Sequence, residues 1–203
     1  FHRYVINFGK RDVAAAGEWP ELLEIVKTKV RPERNLIRDN TGKGGHAKKY
    51  WWQFLDRCDP LWAALAPLER CLVTTNVTKH LVFSFQPTDR VLANSLRVFA
   101  LDRFAHLTTL QSRVHEGWAR LLSSSLEDRL RYSASECFET FPFPQADPRA
   151  VIPALEDVGE RLYTARAAYM IETQQGLTQT YNQLKDPRCQ EPRVVGNRPV
   201  VAV

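Results

Sequence analysis

The sequence predicts an α+β fold, in which a small mixed or antiparallel sheet has flanking helices and is followed by a long C-terminal helix. Short apolar runs between residues 71 and 101 have the length and composition of strands, whereas helical spacing dominates on both sides of them. With 203 residues and 44% hydrophobic content, the chain is long enough to bury one sizeable core.

The N-terminal segment combines apolar periodicity with a strong positive charge. Residues 2–8 alternate in the manner of a strand, and Asp12 can cap a helix whose apolar stripe runs from Trp19 to Val30. Arg31-Pro32 is expected to interrupt that helix, because proline lacks a backbone N–H. Between residues 27 and 57 the chain carries nine Lys and Arg against three acids, and residues 40–46 have the composition of a flexible loop.

The central segment is predicted to form a short helix, three strands and a longer helix. Asp59-Pro60 starts the helix over 61–68, and strands are expected over 71–75, 80–85 and 96–101. One continuous helix is expected from about 103 to 122. Its buried side would hold Phe104, Leu107, Gln111, Val114, Trp118 and Leu121 or Leu122.

The C-terminal half begins without sustained periodicity. Residues 123–136 are predicted to form a loop, and the aromatic, proline-rich residues 138–144 an extended and packed segment. A long helix with apolar heptad spacing is expected after Asp147-Pro148. A few heptads leave two alternatives open, a dimeric coiled coil or a brace packed on the same polypeptide.

Composition and charge limit the classes of function. A net charge of +5 is compatible with polyanionic partners, but it does not by itself predict one. The four cysteines show no CxxC pair, which argues against zinc, and we expect their thiols to fill the core of a protein in the reducing cytoplasm. No apolar run approaches the roughly 18 residues that span a bilayer, so no membrane partner is expected. Because the chain starts at Phe1 and ends on an apolar stretch, we expect it to be a fragment.

Motifs for independent catalysis are missing from the sequence. There is no GxSxG elbow, no HExxH and no GxxxxGK[ST] frame, although five histidines are present. A lone histidine is more often structural or solvated than catalytic. We therefore expect neither a catalytic residue nor a metal site in this chain.

Three ordered motifs carry a resemblance to a known family. They are Cys71-Leu-Val-Thr-Thr-Asn-Val-Thr-Lys-His-Leu-Val-Phe83, Ser112-Arg-Val-His-Glu-Gly-Trp118 and Arg131-Tyr-Ser-Ala-Ser-Glu-Cys-Phe-Glu-Thr-Phe-Pro-Phe-Pro144. Residues 19–34, Trp51-Trp52 and 177–182 also follow the family order. Over residues 1 to about 187, the chain resembles the target-recognition domain and C-terminal region of MmeI-like (type IIG/IIL) restriction-modification enzymes and related phage-defence adenine-N6 DNA methyltransferases.

This resemblance implies sequence-specific recognition of duplex DNA as the specificity part of a bacterial adenine-N6 DNA methyltransferase. The catalytic domain of the same polypeptide, with its S-adenosylmethionine, would lie outside this chain. The sequence lacks both the glycine-rich bend for that cofactor and the Asn/Asp-Pro-Pro-aromatic tetrapeptide that grips a flipped adenine, so the chain alone should transfer no methyl group. The alternative is a helical protein-interaction module of a phage-defence complex that does not read DNA directly.

The resemblance also implies a division of the chain into four segments. We expect a basic helical lead-in over 1–57, a target-recognition core over 58–145, a helical brace over 146–187 and an extended tail over 188–203. A helical brace is the alternative in which the long helix packs on the same polypeptide and does not form a dimeric coiled coil.

Glu127, Arg129 and Arg131 are the expected base-reading residues. Arginine matches guanine O6 and N7, glutamate accepts from cytosine N4, and strand alternation would place all three on one side. In relatives, the positions matching Glu127 and Arg129 help to choose a base pair. The alternative for each residue is an ordinary solvated, salt-bridged loop.

Contacts to the DNA backbone are expected from a second set of polar residues, which would set register without reading sequence. This set contains Lys43, Lys48, Lys49, Lys79, His80, Ser112, Arg113, His115, Tyr132 and Ser133. For Lys79 and His80 the alternative is a solvated lysine and a capping histidine in a turn. Arg113 and His115 do not share one narrow helical stripe, so one can face DNA while the other is structural.

Overall fold

The computed structural model divides the chain into two units, Phe1–Pro60 and Leu61–Val203. It describes residues 4–38, 42–54, 58–126, 129–192 and 194–196, without the side chains of Lys43 and of residues 124–126. The helices are α1 (Val13–Ala16), α2 (Pro20–Asn35), α3 (Gly42–Lys49), α4 (Asp59–Leu65), α5 (Phe104–Gln111), α6 (Arg113–Leu122), α7 (Pro153–Thr173) and α8 (Leu177–Lys185). The strands are β1 (Arg70–Thr75), β2 (Val77–Thr78), β3 (Ser84–Pro87), β4 (Leu96–Phe99), β5 (Ser124–Leu126) and β6 (Arg129–Arg131).

The first two helices start from different local signals: α1 has a side-chain cap at Asp12, whereas α2 has no side-chain cap and starts at Pro20. Asp12 is a helix cap as predicted, since its Oδ1 accepts from the backbone N–H of Ala15 at 2.8 Å. It caps the short α1, however, and not the helix that carries the apolar stripe, because α2 starts separately at Pro20. The predicted interruption at Pro32 is wrong, because α2 continues through it to Asn35. A proline near the end of a helix removes one backbone donor, and α2 ends only three residues later.

Two further expectations for the first unit are corrected. Residues 4–8, the described part of the predicted first strand, have no regular secondary structure; Phe8 is instead buried in a cluster with Val26. The described part of the predicted flexible loop belongs to α3, although its three glycines disfavour a helix. Tertiary packing overrides that propensity, because Ala47 is buried and Gly44 lies so close to the Arg38 carbonyl group that any side chain would collide with it.

The second unit contains two small antiparallel sheets, where one small sheet was expected. The first has strand order β3-β1-β4 and the second β2-β6-β5. Strands β1 and β4 match the strands predicted over 71–75 and 96–101, but the strand predicted over 80–85 is displaced, because β3 begins only at Ser84. Strands β5 and β6 lie within residues 123–136, which were expected to form a loop. A strand of three residues such as β6 has one buried position, Leu130, and one apolar residue gives no detectable alternation.

One hydrophobic core joins both sheets to helices α5 and α6. Leu81, Phe83 and Phe85 are buried in this core, and Leu130 of β6 packs into the same cluster. The edge of the Phe83 ring meets Tyr132 at a centroid distance of 5.9 Å. These contacts fix the second sheet to the first.

The helix predicted over 103–122 is divided in two at Ser112, whose backbone is extended with ψ of 155°. This break changes which side of α6 is buried. Val114 is 70% exposed, and neither Leu121 nor Leu122 is buried, at 77% and 37% exposed, contrary to the prediction. His115 and Ala119 are buried instead.

The C-terminal region packs on this core as a brace. The aromatic segment over 138–144 is packed as predicted, with Phe141 buried. It is not extended throughout, because Phe138 ends a π-helix that starts at Ala134 and residues 139–140 form a turn. The predicted long helix is α7, which packs along α5 within the same chain. Gly159 allows the close approach, because a Cβ there would collide with the carbonyl oxygen of Phe104.

Candidate nucleic-acid interface

Arg129 and Arg131 project from the same exposed side of β6. Leu130, which lies between them, is buried in the core, so the alternation along the strand is fixed. Arg129 pairs in register with Leu126, and Arg131 pairs with Ser124 on one side and Val77 on the other. Glu127, the third predicted base reader, lies outside the described residues.

The strand that carries these arginines is anchored at its end by Tyr132. The Tyr132 backbone N–H donates to the carbonyl oxygen of Asn76 at 2.9 Å, which extends the pairing beyond β6. The Tyr132 hydroxyl lies 3.0 Å from His115 Nε2 inside the core. The main chain and the side chain of Tyr132 are therefore both held. As a result, β6 presents Arg129 and Arg131 from a defined backbone position.

His115 and Tyr132 are fully buried, which revises the DNA-backbone role expected of them. Burial lowers the pKa of His115 to about 4 and raises the pKa of Tyr132, so both rings are neutral near pH 7. A direct contact with phosphate needs an exposed donor, and neither side chain presents one. We assign both to the support of β6, and of the pair Arg113 and His115 only the arginine is exposed.

Lys79 and His80 occupy the turn after β2 but differ in exposure. Lys79 is exposed, and its Nζ donates to Asn182 Oδ1 at 3.0 Å. His80 is 8% exposed, with Nε2 2.8 Å from the same oxygen, and burial lowers its pKa. Lys79 is therefore on the surface, whereas His80 lies beneath it and holds the turn.

Ser112, Arg113 and Ser133 lie at the starts of helices. Ser112 caps α6, since its Oγ accepts from the His115 backbone N–H at 3.1 Å and donates to the Thr109 carbonyl oxygen at 2.8 Å. Arg113, the first residue of α6, is exposed. Ser133 precedes the π-helix, and its Oγ lies 3.1 Å from Ser135 Oγ.

The predicted contacts in the first unit belong to α3. Lys48 and Lys49 lie in its last turn, and Lys49 Nζ sits 5.3 Å from the centre of the Tyr50 ring. The side chain of Lys43 is outside the described part of the chain. Trp51 and Trp52 pack against the cluster of Phe8 and Val26.

Three residues near the predicted site were missed by sequence reasoning. Val77 is exposed opposite Arg131, Arg97 Nε donates to the Tyr132 carbonyl oxygen at 3.4 Å, and Asn182 holds the Lys79 turn. Only Asn182 had a sequence signal, because it ends the motif at residues 177–182. The other two depend on strand pairing that joins distant parts of the chain.

The described residues contain neither a metal-binding cluster nor a membrane-spanning helix. Among residues 4–38, 42–54, 58–126, 129–192 and 194–196, no group of three His, Cys, Asp or Glu side chains could hold a metal ion. No helix in these ranges is long and apolar enough to cross a membrane.

Comparisons with known proteins agree on one family. The model of the MmeI target recognition domain matches residues 1–145. DNA methyltransferase A of Bacillus subtilis (strain 168) is 34% identical over 127 residues, which make up 62% of this chain and 14% of that protein. The solved structure of the type IIL restriction-modification enzyme MmeI in complex with DNA has a TM-score of 0.64 at 18% identity, and the likeness covers 96% of this chain and 24% of that one.

These matches differ in what they establish. At 18% identity the likeness to the MmeI structure concerns the fold, and it confirms the α+β architecture with its long C-terminal helix. The chain spans a quarter or less of each relative's length. Because the family model covers well over half of its residues, this chain belongs to the family of MmeI target recognition domains.

Proposed function

We propose that this chain reads the sequence of duplex DNA as the specificity part of a bacterial adenine-N6 DNA methyltransferase of restriction-modification or phage defence. The observation that carries the proposal is the pair Arg129 and Arg131, exposed on one side of a strand whose backbone is anchored in the core. Two relatives support it by name, one as a DNA methyltransferase and one as an enzyme solved with DNA.

Base reading would use the exposed face of β6, the central strand of its sheet, as a rigid support in the major groove. A guanidinium fork donates two hydrogen bonds to guanine O6 and N7, and each good bidentate contact gives about 1 to 3 kcal/mol of discrimination. Precise reading requires that the arginines leave the protein from fixed positions, which the burial of Leu130 and Tyr132 provides. Glu127 would complete the set by accepting from a cytosine amino group.

Register on the duplex would come from cations that touch phosphates. Lys79 and Arg113 are exposed in the second unit, and Lys48 and Lys49 lie on α3 in the first unit. Lys43 stays in this set as a prediction from its sequence position. Ser112 and Ser133 are also proposed as contacts to the DNA backbone. Both are half-buried and lie at the starts of helices.

The reaction itself belongs to a part of the protein outside this chain. A catalytic domain of the same polypeptide would bind S-adenosylmethionine, which supplies the methyl group, and would take up the adenine that this chain selects. The proposal places the protein in the bacterial cytoplasm, where its DNA is.

Duplex binding as a function of salt tests the proposal. Fluorescence anisotropy should show affinity that falls steeply as salt rises, because binding releases counterions. Lys79→Ala should weaken all duplexes alike and lower the salt slope by about one unit. Arg161→Ala is the matched control, because it removes one positive charge from an ion pair with Asp157 on α7.

Two outcomes would contradict the proposal in different ways. An absence of duplex binding at low salt would favour the protein-interaction module. A change of sequence preference in Lys79→Ala would show that this lysine does not contact the backbone.

A further inference from the structure

Helix α8 is held against the recognition core by buried contacts. Thr180 and Tyr181 are each 1% exposed. Arg166 of α7 donates to Tyr181 Oη at 3.2 Å and to the carbonyl oxygen of Phe83 at 2.9 Å. Because one buried guanidinium joins α7, α8 and the chain just before β3, the residues on the exposed side of α8 have defined positions.

Asn182, the next residue of α8, holds both side chains of the turn after β2. Its Oδ1 accepts from Lys79 Nζ at 3.0 Å and lies 2.8 Å from His80 Nε2. A carboxamide oxygen only accepts hydrogen bonds, so His80 must carry its proton on Nε2. Burial lowers the pKa of His80, which keeps the ring neutral near pH 7 with this one donor in use.

Helix α6 holds the main chain of the same turn. Arg120 Nη2 donates to the Lys79 carbonyl oxygen at 3.2 Å and to Glu116 Oε1 at 2.8 Å. Glu116 also accepts from Lys185 Nζ of α8 at 2.6 Å. Burial alone would raise the pKa of Glu116, but the hydrogen bonds from Lys185 and Arg120 outweigh it, so the pKa is lowered and the group is ionised near pH 7. Lys79 is thus held through its side chain by α8 and through its carbonyl group by α6.

We propose that Asn182 is a positioning residue for DNA binding, which holds the ammonium group of Lys79 in place for a phosphate oxygen of the duplex. This inference rests on the proposed function. The ammonium group has three donors, so it can keep its bond to Asn182 while it binds a phosphate. A lysine that is already held loses less side-chain entropy on binding, so the loss of Asn182 should weaken duplex binding about three- to tenfold.

The assignment extends the DNA-binding machinery beyond the region that the family model covers. That match ends at residue 145, whereas Asn182 lies in α8 of the helical brace. The brace would therefore contribute to DNA affinity by ordering a contact of the recognition core, in addition to packing against it.

A double-mutant cycle tests the proposal with the chain as it stands. Asn182→Ala, Lys79→Ala and the double variant are compared with the unmodified chain in duplex binding at low salt, by fluorescence anisotropy. Thr178→Ala, an exposed position on the same helix, is the control for changes to the surface of α8. The melting temperature of each variant shows whether the fold is kept.

We expect Asn182→Ala to weaken binding when Lys79 is present and to have little effect when Lys79 is already alanine, with Thr178→Ala unchanged. A purely structural role for Asn182 would give the same loss in both backgrounds. Additive losses would therefore overturn the inference and leave the proposed function intact. Unchanged affinity in Lys79→Ala would overturn the inference together with the backbone contact of Lys79, and no duplex binding by the unmodified chain would overturn the proposed function as well.

Discussion

Val77 lies directly opposite Arg131 in the pairing of β2 with β6, and both side chains are exposed. Residues that face each other across antiparallel strands project to the same side of the sheet. The surface that carries the two arginines therefore also presents the methyl groups of a valine. In a major groove, an apolar group can contact the methyl group of thymine beside a guanidinium that reads guanine.

Replacement of Arg131 by alanine should relax the sequence preference at one base pair. The loss of a bidentate contact with guanine corresponds to about a 10- to 100-fold loss of discrimination there. The measurement is sequencing of methylated sites after Arg131→Ala is introduced into the full-length protein that contains this chain. Arg90→Ala, an exposed arginine in the loop after β3, is the matched control and should leave the motif unchanged. If the methylated motif is unaltered in Arg131→Ala, Arg131 does not read a base.

The double substitution Glu127→Lys with Arg129→Asp should invert the preference at one position from C·G to G·C. Glutamate accepts from the cytosine amino group and arginine donates to guanine, so exchanging donor and acceptor should exchange the preferred bases. The same sequencing of methylated sites would show the change, by about 10- to 100-fold at that position. Normal activity with the original motif would mean that these two residues do not read bases, and the protein-interaction module would gain support.

Stability should fall between pH 6.5 and about 4 because of His115. Burial lowers the pKa of this ring from 6.5 to about 4, so in this window the unfolded chain binds a proton that the folded chain does not. The contribution is complete above pH 6.5 and is lost as the pH falls towards 4. At about 1.4 kcal/mol for each tenfold change in proton affinity, the free energy of unfolding should decrease by up to roughly 3 kcal/mol.

Urea denaturation across this pH range measures that effect. His115→Gln keeps a polar group near the Tyr132 hydroxyl but cannot titrate, so its stability should depend less on pH than that of the unmodified chain. His80, whose pKa burial also lowers, contributes equally in both proteins. Equal pH profiles would show that the His115 ring is not buried in its neutral form.

Gly159→Ala should destabilise the fold by about 1 to 3 kcal/mol, although alanine favours a helix over glycine by about 1 kcal/mol. The added Cβ would collide with the carbonyl oxygen of Phe104 and with Thr108 Oγ1, which donates to the Leu155 carbonyl oxygen at 2.7 Å. Gly117→Ala on α6 is the control, since a Cβ there meets nothing within 4 Å and should stabilise. Stabilisation by both changes in thermal unfolding would contradict the close packing of α7 on α5.

Local signals in the sequence determined several parts of this protein. The cap at Asp12, the helix start at Asp59-Pro60, the strands around residues 71–75 and 96–99 and the long helix α7 all follow from capping and periodicity within a few residues. The family resemblance likewise depended on motifs of consecutive residues, and the match to the family model confirms it. The sequence placed Arg129 and Arg131 on one side only on the condition that their segment is extended, and the pairing of β6 with β2 and β5 meets that condition.

Tertiary structure decided what depends on contacts between distant residues. The sequence could not show that His115 and Tyr132 share a buried hydrogen bond across 17 residues, nor that Lys79 reaches Asn182 across 103 residues. The break at Ser112 turned α6 so that His115 faces the core, where its ring meets Tyr132. In each case the energy of burial and hydrogen bonding outweighs local propensities, which amount to about 1 kcal/mol or less per ordinary residue.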